Sequence, residues 1–351
     1  TFKLYGPSDT ADCTGTAIFT STVPLGADGT ATSGTFSPTT AGSYYWTASY
    51  SGDVNNLPDT EACGGTDETS TVGKTTTVVG TAASSATVGG PISDTATVTG
   101  GLNPTGMVTF KLYGPSDTAD CTGTAIFTST VPLGADGTAT SGTFSPTTAG
   151  SYYWVAAYSG DDNNAGSTGA CGAEGETSTV GKLTTVVGTS ATSGNVGDAV
   201  SDTATLSGAT ATAGGTITFS VFGPSDSPDC TGDAVFTSTI TVDGNGPYTS
   251  QPFTPTTAGS YYWVAAYSGD ENNIASSGGC GDDGETSTLN ALGTGPETPS
   301  PQHSPEVAAQ QQLAATGAGP VHDQIGWALA LLVLGAGILL VGKRRGYRRT
   351  H

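Results

Sequence analysis

The chain is 351 residues long and carries 30 acidic against 9 basic side chains, a formal net charge of −21. This acidity excludes nucleic acid as a partner, because phosphate binding needs a basic surface. The histidines are confined to the C-terminal part, at His303, His322 and His351. Histidine-dependent nucleophilic catalysis and histidine-containing zinc sites are therefore excluded from the rest of the chain. We expect a protein that is not an enzyme and holds no cofactor.

The most informative feature is an internal repeat. Residues 1–46 recur without change at 109–154, and a third, diverged copy begins at Thr218. A period of about 108 residues corresponds to a whole domain rather than to a solenoid repeat. The sequence thus divides into a partial repeat at 1–73, complete repeats at 74–181 and 182–292, a proline-rich linker at 293–312 and a C-terminal segment at 313–351. Because residue 1 falls inside a unit, we expect the first repeat to lack its N-terminal strands, as in a fragment of a longer precursor.

Each repeat shows short runs rich in Val, Thr, Tyr and Phe with period-two alternation, separated by turn segments such as NPTG and GPSD. About seven such runs per unit predict an all-β domain built as a β-sandwich. In the run SYYWVAAYSG, alternate residues should share the face that packs into the core, namely Tyr152, Trp154, Ala156 and Tyr158. The Trp of each copy is accordingly expected to fill the core rather than to serve as a sugar-stacking platform.

Two motifs in these repeats resemble a known family. The segment Ala-Gly-Ser-Tyr-Tyr-Trp resembles the tyrosine corner of immunoglobulin-type domains, in which a Tyr hydrogen-bonds back to the preceding turn. It is followed by Tyr-Ser-Gly-Asp, a variable residue and Asn-Asn, at 50–56, 158–164 and 267–273. Together they resemble the bacterial Ig-like domains of surface proteins. The resemblance covers residues 1–292 and implies tandem Ig-like β-sandwich domains, extracellular spacer or adhesive modules without activity of their own.

Six cysteines occur as two per repeat, always 50 residues apart. Fifteen pairings are possible, but the equal spacing favours one disulfide per repeat over bonds between repeats or free thiols. The expected pairs are Cys13 with Cys63, Cys121 with Cys171, and Cys230 with Cys280. Each cysteine follows a turn or the Tyr-Ser-Gly-Asp loop, so the bond should join loops at one end of the domain. Disulfides indicate an oxidising location outside the cytoplasm.

Oxygen ligands that could suit calcium occur in the acidic loop of the second repeat, at Asp161, Asp162, Asn163 and Asn164. The same residue types favour tight turns, and no Asp-x-Asp-x-Asp-Gly series with a distal Glu is present. Turn chemistry is the preferred interpretation and calcium binding the alternative. Lys74 and Lys182 begin the two complete repeats and are expected to be solvated rather than to form intramolecular isopeptide bonds.

The alternating pattern stops after Leu292, and residues 293–312 contain four prolines, which indicates a semi-extended linker. Residues 325–342 carry no charge over 18 positions, which as a helix spans about 27 Å and suffices for a bilayer core. We predict one C-terminal transmembrane helix there. A basic tail follows and places the C-terminus in the cytoplasm, through Lys343, Arg344, Arg345, Arg348 and Arg349.

A short motif precedes this apolar span, consisting of Leu313, Ala314, Ala315, Thr316 and Gly317. A pentapeptide, an apolar span and a basic tail in this order resemble the Gram-positive cell-wall sorting signal, whose usual pentapeptide is LPxTG. Ala314 departs from that pattern and resembles the LAxTG variant of high-GC Gram-positive bacteria. The resemblance implies that a sortase cleaves between Thr316 and Gly317 and joins Thr316 to peptidoglycan. The thiolate nucleophile belongs to the sortase, so Thr316 is a substrate residue.

These patterns predict a cell-surface stalk anchored to the wall of a Gram-positive bacterium, with its precursor held in the plasma membrane by the C-terminal helix. Two alternatives stay open at this point. The repeats could form an adhesin or polysaccharide-binding module with an unknown surface or glycan ligand, or they could be the C-terminal tail of an extracellular enzyme whose catalytic domain lies upstream of residue 1.

Overall fold

The structure is a computed structural model that describes residues 1–293. In this part of the chain there are 23 strands, and it contains no helix that is long and apolar enough to cross a membrane. The predicted span at 325–342 lies outside the described residues, as does the linker beyond Gly293.

The first repeat forms one antiparallel sheet from five strands: β1 (Phe2–Tyr5), β2 (Phe19–Ser21), β3 (Gly42–Tyr50), β4 (Asp59–Thr60) and β5 (Thr69–Val72). The order is β2-β1-β3-β4, and β5 also pairs with β3. Strand β3 is therefore the centre of this sheet. It contains the Ser-Tyr-Tyr-Trp run that also recurs in the other repeats.

The second repeat contains nine strands: β6 (Val78–Ala83), β7 (Ala86–Thr87), β8 (Asp94–Thr99), β9 (Met107–Tyr113), β10 (Phe127–Pro132), β11 (Thr138–Thr140), β12 (Gly150–Tyr158), β13 (Ser167–Thr168) and β14 (Thr177–Gly181). They form two sheets, a small one of order β11-β8-β6 and a larger one of order β10-β9-β12-β14-β7 with β13 attached to β12. The buried faces of the two sheets enclose one hydrophobic core.

The third repeat has the same arrangement: β15 (Val186–Ala191), β16 (Gly194–Asn195), β17 (Asp202–Ser207), β18 (Thr216–Phe222), β19 (Phe236–Thr241), β20 (Gly246–Thr249), β21 (Gly259–Tyr267), β22 (Ser276–Ser277) and β23 (Thr286–Asn290). Its sheets have the orders β15-β17-β20 and β16-β23-β21-β18-β19, with β22 on β21. It encloses a separate hydrophobic core of its own.

The topology of the complete repeats is that of an Ig-like β-sandwich. In each, the N-terminal stretch contributes first to the small sheet and then crosses to the large one, where β7 pairs in parallel with β14 and β16 with β23. All the other strand pairings within residues 1–293 are antiparallel. The predicted all-β fold is confirmed. The complete repeats have nine strands rather than about seven, because two-residue strands such as β7 and β13 are too short to show alternation.

The alternation predicted for β12 is confirmed. Trp154 is fully buried and packs edge-on against Phe110, with ring centroids 6.5 Å apart. Its indole nitrogen donates to Ser178 Oγ at 3.0 Å, as a buried indole N–H requires. The hydroxyl of Tyr152 donates to the Thr148 carbonyl at 2.8 Å, which is the geometry of the tyrosine corner. Trp154 and Trp263 thus fill the cores of the complete repeats, as expected, whereas Trp46 of the first repeat is only half-buried.

A disulfide closes each repeat, joining Cys13 to Cys63, Cys121 to Cys171 and Cys230 to Cys280. These are the pairs expected from the equal spacing. In the second repeat, Cys121 lies in the loop between β9 and β10, and Cys171 lies in the loop between β13 and β14. The bond therefore ties two loops together and leaves the core to the aromatic side chains.

Candidate functional site at the repeat junctions

The loop that follows β12 is organised around the carboxylate of Asp161. Its Oδ1 accepts hydrogen bonds from the backbone amides of Asn163 (2.8 Å) and Asn164 (2.9 Å). Its Oδ2 accepts from the Thr105 amide (2.7 Å) and the Tyr158 hydroxyl (3.0 Å). Asp161 thereby holds its own turn closed and fixes that turn to the loop that precedes β9.

These contacts set the charge state of Asp161. Burial by itself raises the pKa of a carboxyl group, but the hydrogen bonds from Thr105, Asn164, Asn163 and Tyr158 together lower the pKa of Asp161 well below its usual value. In the opposite direction, burial and the neighbouring Asp161 raise the pKa of Tyr158 to about 12. The pair is thus an ionised carboxylate accepting from a neutral phenol at ordinary pH.

The second asparagine of the motif joins this loop to the start of the repeat. Asn164 is fully buried, and its Oδ1 accepts from the Leu102 amide (2.7 Å) and the Thr75 hydroxyl (2.6 Å). In the third repeat, Asn273 is likewise buried and accepts from the Thr210 amide at 2.8 Å. A buried side-chain amide needs such partners, so this position is internal to the domain.

The first asparagine of the motif instead reaches across the boundary between repeats. Asn163 Oδ1 accepts from the Ala41 amide of the first repeat at 2.9 Å. Asn272 Oδ1 accepts from the Ala149 amide of the second repeat at 2.8 Å. Both donors belong to the Thr-Thr-Ala-Gly turn before the tyrosine corner. The same contact therefore forms twice, and we call it the joint.

The chain itself crosses from the second repeat to the third with almost no slack. Strand β14 ends at Gly181, whose carbonyl accepts from Val88, and Leu183 already donates its amide to the Asn272 carbonyl at 2.9 Å. Only Lys182 lies between these two anchored residues. A connection this short restrains the orientation of the two domains, unlike the flexible linkers that allow domain motion by default.

A charged side chain of the third repeat also lies near the tyrosine corner of the second repeat. Burial raises the pKa of Tyr152, and the Glu271 carboxylate of the following repeat raises it further. Lys182 Nζ donates to the Asp270 carbonyl at 2.6 Å, and Lys74 Nζ donates to the Asp161 carbonyl in the same way. These two lysines were expected to be simply solvated. Both are exposed, as expected, and each also donates this hydrogen bond because a lysine at the start of a repeat lies directly beside the acidic loop.

The arrangement bears on the two interpretations of the acidic loop. Both oxygens of Asp161 are occupied by donors and Asn164 is enclosed, while Asp162 is exposed and Asn163 serves the joint. These are the contacts of a tight turn, and they use the oxygens that a calcium ion would need. Within residues 1–293, no group of three or more acidic, His or Cys side chains is placed to hold a metal ion.

Three sets of predicted site residues differ in their placement. The cysteines are brought together in pairs, as described above. The sortase motif at 313–317 and the basic tail from Lys343 to Arg349 lie outside the described residues.

Sequence reasoning missed both the joint and a pair of buried carboxyl groups in each complete repeat. These are Asp94 with Glu176, and Asp202 with Glu285, all at most 1% exposed. The signal was present, since Asp94 lies two and four residues before the inward-facing Ala96 and Val98. Alternation alone would have placed the carboxylate inside.

No family model matches the chain, and no curated protein matches it. Among solved structures, it is similar to the Yersinia pseudotuberculosis adhesin InvE, with 18% identity over 60% of this chain and 58% of that one and a TM-score of 0.29. The Escherichia coli adhesin FdeC has 16% identity over 73% and 75% of the two chains, with a TM-score of 0.22. Red sea bream transglutaminase has 8% identity over 62% and 32%, with a TM-score of 0.27.

The chain spans less than two thirds of the length of the InvE structure. The three neighbours include adhesins and an enzyme, and their TM-scores are too low to carry an argument. The Ig-like assignment rests on the strand order, the parallel pairing of β7 with β14 and the tyrosine corner.

Proposed function

We propose that the chain is a non-enzymatic protein of the cell exterior, in which the Ig-like repeats form a stalk that a sortase attaches to peptidoglycan through Thr316. The observation that carries the proposal is the order of three sequence features: the 313–317 motif, the uncharged span at 325–342 and the basic tail. Each feature is common alone, but all three in this order along the chain are what a wall-sorting enzyme and a membrane require.

The repeats support the role of a spacer. Each has a disulfide, which suits an oxidising exterior. The joints restrain the angle between neighbouring domains, so that a row of repeats holds its far end away from the anchor. The exposed surface is acidic, with four lysines as the only basic residues before the sorting motif. Such a surface favours solubility and discourages self-association.

The chemical step would take place on this chain and be carried out by the sortase. Its thiolate attacks the Thr316 carbonyl carbon, the peptide bond to Gly317 breaks, and the fragment from Gly317 onward leaves with a new amino terminus. An amine of the wall precursor then attacks the thioester at Thr316, which forms an amide and restores the thiol. The helix at 325–342 holds the chain at the membrane until this transfer.

Mass spectrometry of wall digests tests the proposal. The full chain is expressed in a Gram-positive host with an LAxTG-recognising sortase, and the wall is solubilised by a peptidoglycan hydrolase. We expect a peptide that ends at Thr316 and carries a peptidoglycan stem fragment. Thr316→Ala should abolish this species, whereas Thr298→Ala, a matched change in the linker, should leave it intact. A protein that still ends at His351 in the wild type would refute the anchoring mechanism.

A further inference from the structure

Each complete repeat buries two carboxyl groups from opposite sheets. In the second repeat they belong to Asp94, 0% exposed, and Glu176, 1% exposed. In the third repeat they belong to Asp202 and Glu285, both 0% exposed. Carboxyl groups are rarely buried so completely unless they are paired. The hydrogen-bond donors and basic side chains around them therefore decide whether they are ionised.

The fold brings the two groups into the same part of the core, where the charge of Asp94 acts on Glu176. Asp94 begins β8 on the inward face and pairs in register with Ala83 of β6. The amide of Ala83 donates to the carbonyl of Gly175, directly before Glu176, at 2.8 Å. Gly175 has a positive φ of 83°, and a Cβ there would collide with the Thr81 carbonyl oxygen. Glycine is thus required for the close approach that brings the Glu176 side chain beside β6 and β8.

Several oxygens of the pair have no hydrogen-bond donor. These are both carboxylate oxygens of Asp94, Glu176 Oε2, Asp202 Oδ2 and both carboxylate oxygens of Glu285. Unpaired buried oxygens are costly. Each complete repeat has three such oxygens, although Asp202 Oδ1 accepts a hydrogen bond from the Ser190 amide at 3.1 Å. The shortage of donors is therefore a feature of the repeat and not of one copy.

No basic side chain balances the pair. The strands around it, β6, β8, β11, β12 and β14, contain no Lys, Arg or His. Lys74 lies at the opposite end of the domain beside Asp161, which the length of β8 places about 20 Å away. Lys111 is exposed on β9 between the buried Phe110 and Leu112. The remaining titratable groups nearby add no positive charge: the β12 tyrosines Tyr152, Tyr153 and Tyr158, and the exposed Glu174 and Asp282.

Two ionised carboxylates in such a place would repel each other in a medium of low dielectric constant. Protonation of one of the two groups removes this repulsion. We propose that each complete repeat takes up a proton on folding and holds it on its buried Asp and Glu, so that the repeat is a proton-binding module whose folded state is stabilised as the pH falls.

The direction of the shifts agrees with this geometry. Burial raises the pKa of Asp94 and of Asp202 to about 6. Burial, with a further contribution from the neighbouring Asp, raises the pKa of Glu176 and of Glu285 to about 7. An acid whose pKa is raised on folding stabilises the fold fully below its unfolded value of about 4, and this contribution is lost as the pH rises towards 7.

Urea unfolding of the full chain between pH 4 and pH 8, followed by tryptophan fluorescence, tests the proposal. One linked proton changes the unfolding constant about tenfold per pH unit for each pair. We expect the double variant Glu176→Gln with Glu285→Gln to have a shallower slope, because glutamine takes up no proton and only the buried Asp of each repeat is left to titrate. Glu174→Gln and Glu68→Gln are the matched controls. Glu174 is exposed two residues away, and the half-buried Glu68 is the equivalent of Glu176 in the first repeat.

A second measurement does not depend on how the variants fold. Carbon-13 NMR of the wild-type carboxyl groups should show one Asp and one Glu per complete repeat titrating together, above the range of the exposed acids. Titration of all carboxyl groups at ordinary values would overturn the proposal. So would an unchanged slope in the double variant. Saturable calcium binding by calorimetry that the double variant abolishes would overturn it as well, since the pair would then be a cation site.

Discussion

Asn272 Oδ1 accepts the backbone N–H of Ala149 at 2.8 Å, across the boundary between the second and third repeats. The equivalent contact joins Asn163 to Ala41 at 2.9 Å. In each case the asparagine lies at the same place in the Tyr-Ser-Gly-Asp-x-Asn-Asn motif, and its neighbour, Asn164 or Asn273, is buried inside its own domain. Two adjacent asparagines thus divide two tasks, one within the repeat and one between repeats.

Removing the joint acceptor should loosen the domains without unfolding them. Asn272→Ala leaves the Ala149 amide without its partner, at a cost of about 1 kcal/mol. We expect the thermal midpoint to change little, while small-angle scattering and residual dipolar couplings show a wider range of angles between the second and third repeats. Asn55→Ala is the control, because Asn55 holds the same motif position but is exposed. Equal interdomain order in both variants would show that the joint does not restrain the domains.

Asp161 should be essential to the loop. Asp161→Asn would turn an amide group toward the Thr105 amide or the Tyr158 hydroxyl, both of which donate, and should destabilise the second repeat by about 2 kcal/mol. The pKa of Asp161 is lowered on folding, so its contribution is present at neutral pH and lost as the pH falls below its usual value of 3.8. Urea unfolding at pH 7 and at pH 3 measures both effects.

Asp162→Asn is the control for this change, since Asp162 is exposed in the same turn. Neither calcium nor a chelator should alter the thermal midpoint of the wild type, because the donors around Asp161 already occupy its oxygens. A calcium-dependent rise that disappears in Asp161→Asn would restore the alternative interpretation of this loop.

Breaking a disulfide should weaken one repeat considerably. The bond between Cys230 and Cys280 closes a loop with a sequence separation of 50 residues, for which the chain-entropy model gives about 4 kcal/mol. We expect the double variant Cys230→Ser with Cys280→Ser to unfold its repeat at a lower urea concentration. Wild-type protein in reducing agent should behave in the same way, and the variant should show no further response to the reductant.

The buried hydrogen bond of the Trp154 indole should contribute more to the stability of its repeat than the exposed hydrogen bond of Trp46 contributes to the first repeat. Ser178→Ala removes the acceptor of Trp154 Nε1 in the core, and an unsatisfied buried donor costs about 2 kcal/mol. Ser70→Ala removes the equivalent acceptor of Trp46 in the first repeat, where the contact is solvent-exposed at 3.2 Å. We expect only the first variant to shift the unfolding curve. Similar shifts for both would mean that burial does not determine the effect.

The sequence alone predicted those structural features that depend on residue patterns within one repeat. Alternation placed Trp154 in the core, and the turn before Tyr152 indicated the tyrosine corner. The equal cysteine spacing indicated the disulfides. The joint could not be foreseen in this way, because Asn272 and Ala149 are 123 residues apart and meet only when two folded domains are placed in a row.

The buried carboxyl pair was not predicted from the sequence for a different reason. Asp94 begins an alternating run and Glu176 lies in a segment typical of a polar turn, but acidic residues are expected on the surface. Only the pairing of β6 with β8, together with the approach of Gly175, shows that both side chains enter the same core. Period-two alternation contained part of this information but gave no indication that Glu176 lies near Asp94.

Both halves of the joint belong to every repeat. The donor turn at Ala41, Ala149 or Ala258 and the acceptor loop at Asn55, Asn163 or Asn272 are encoded by one unit, so copying a unit by recombination also copies a complete connector. The identity of residues 1–46 with 109–154 is what such an event leaves behind. The number of repeats can then change while every new junction is compatible from the outset, without a compensating mutation elsewhere.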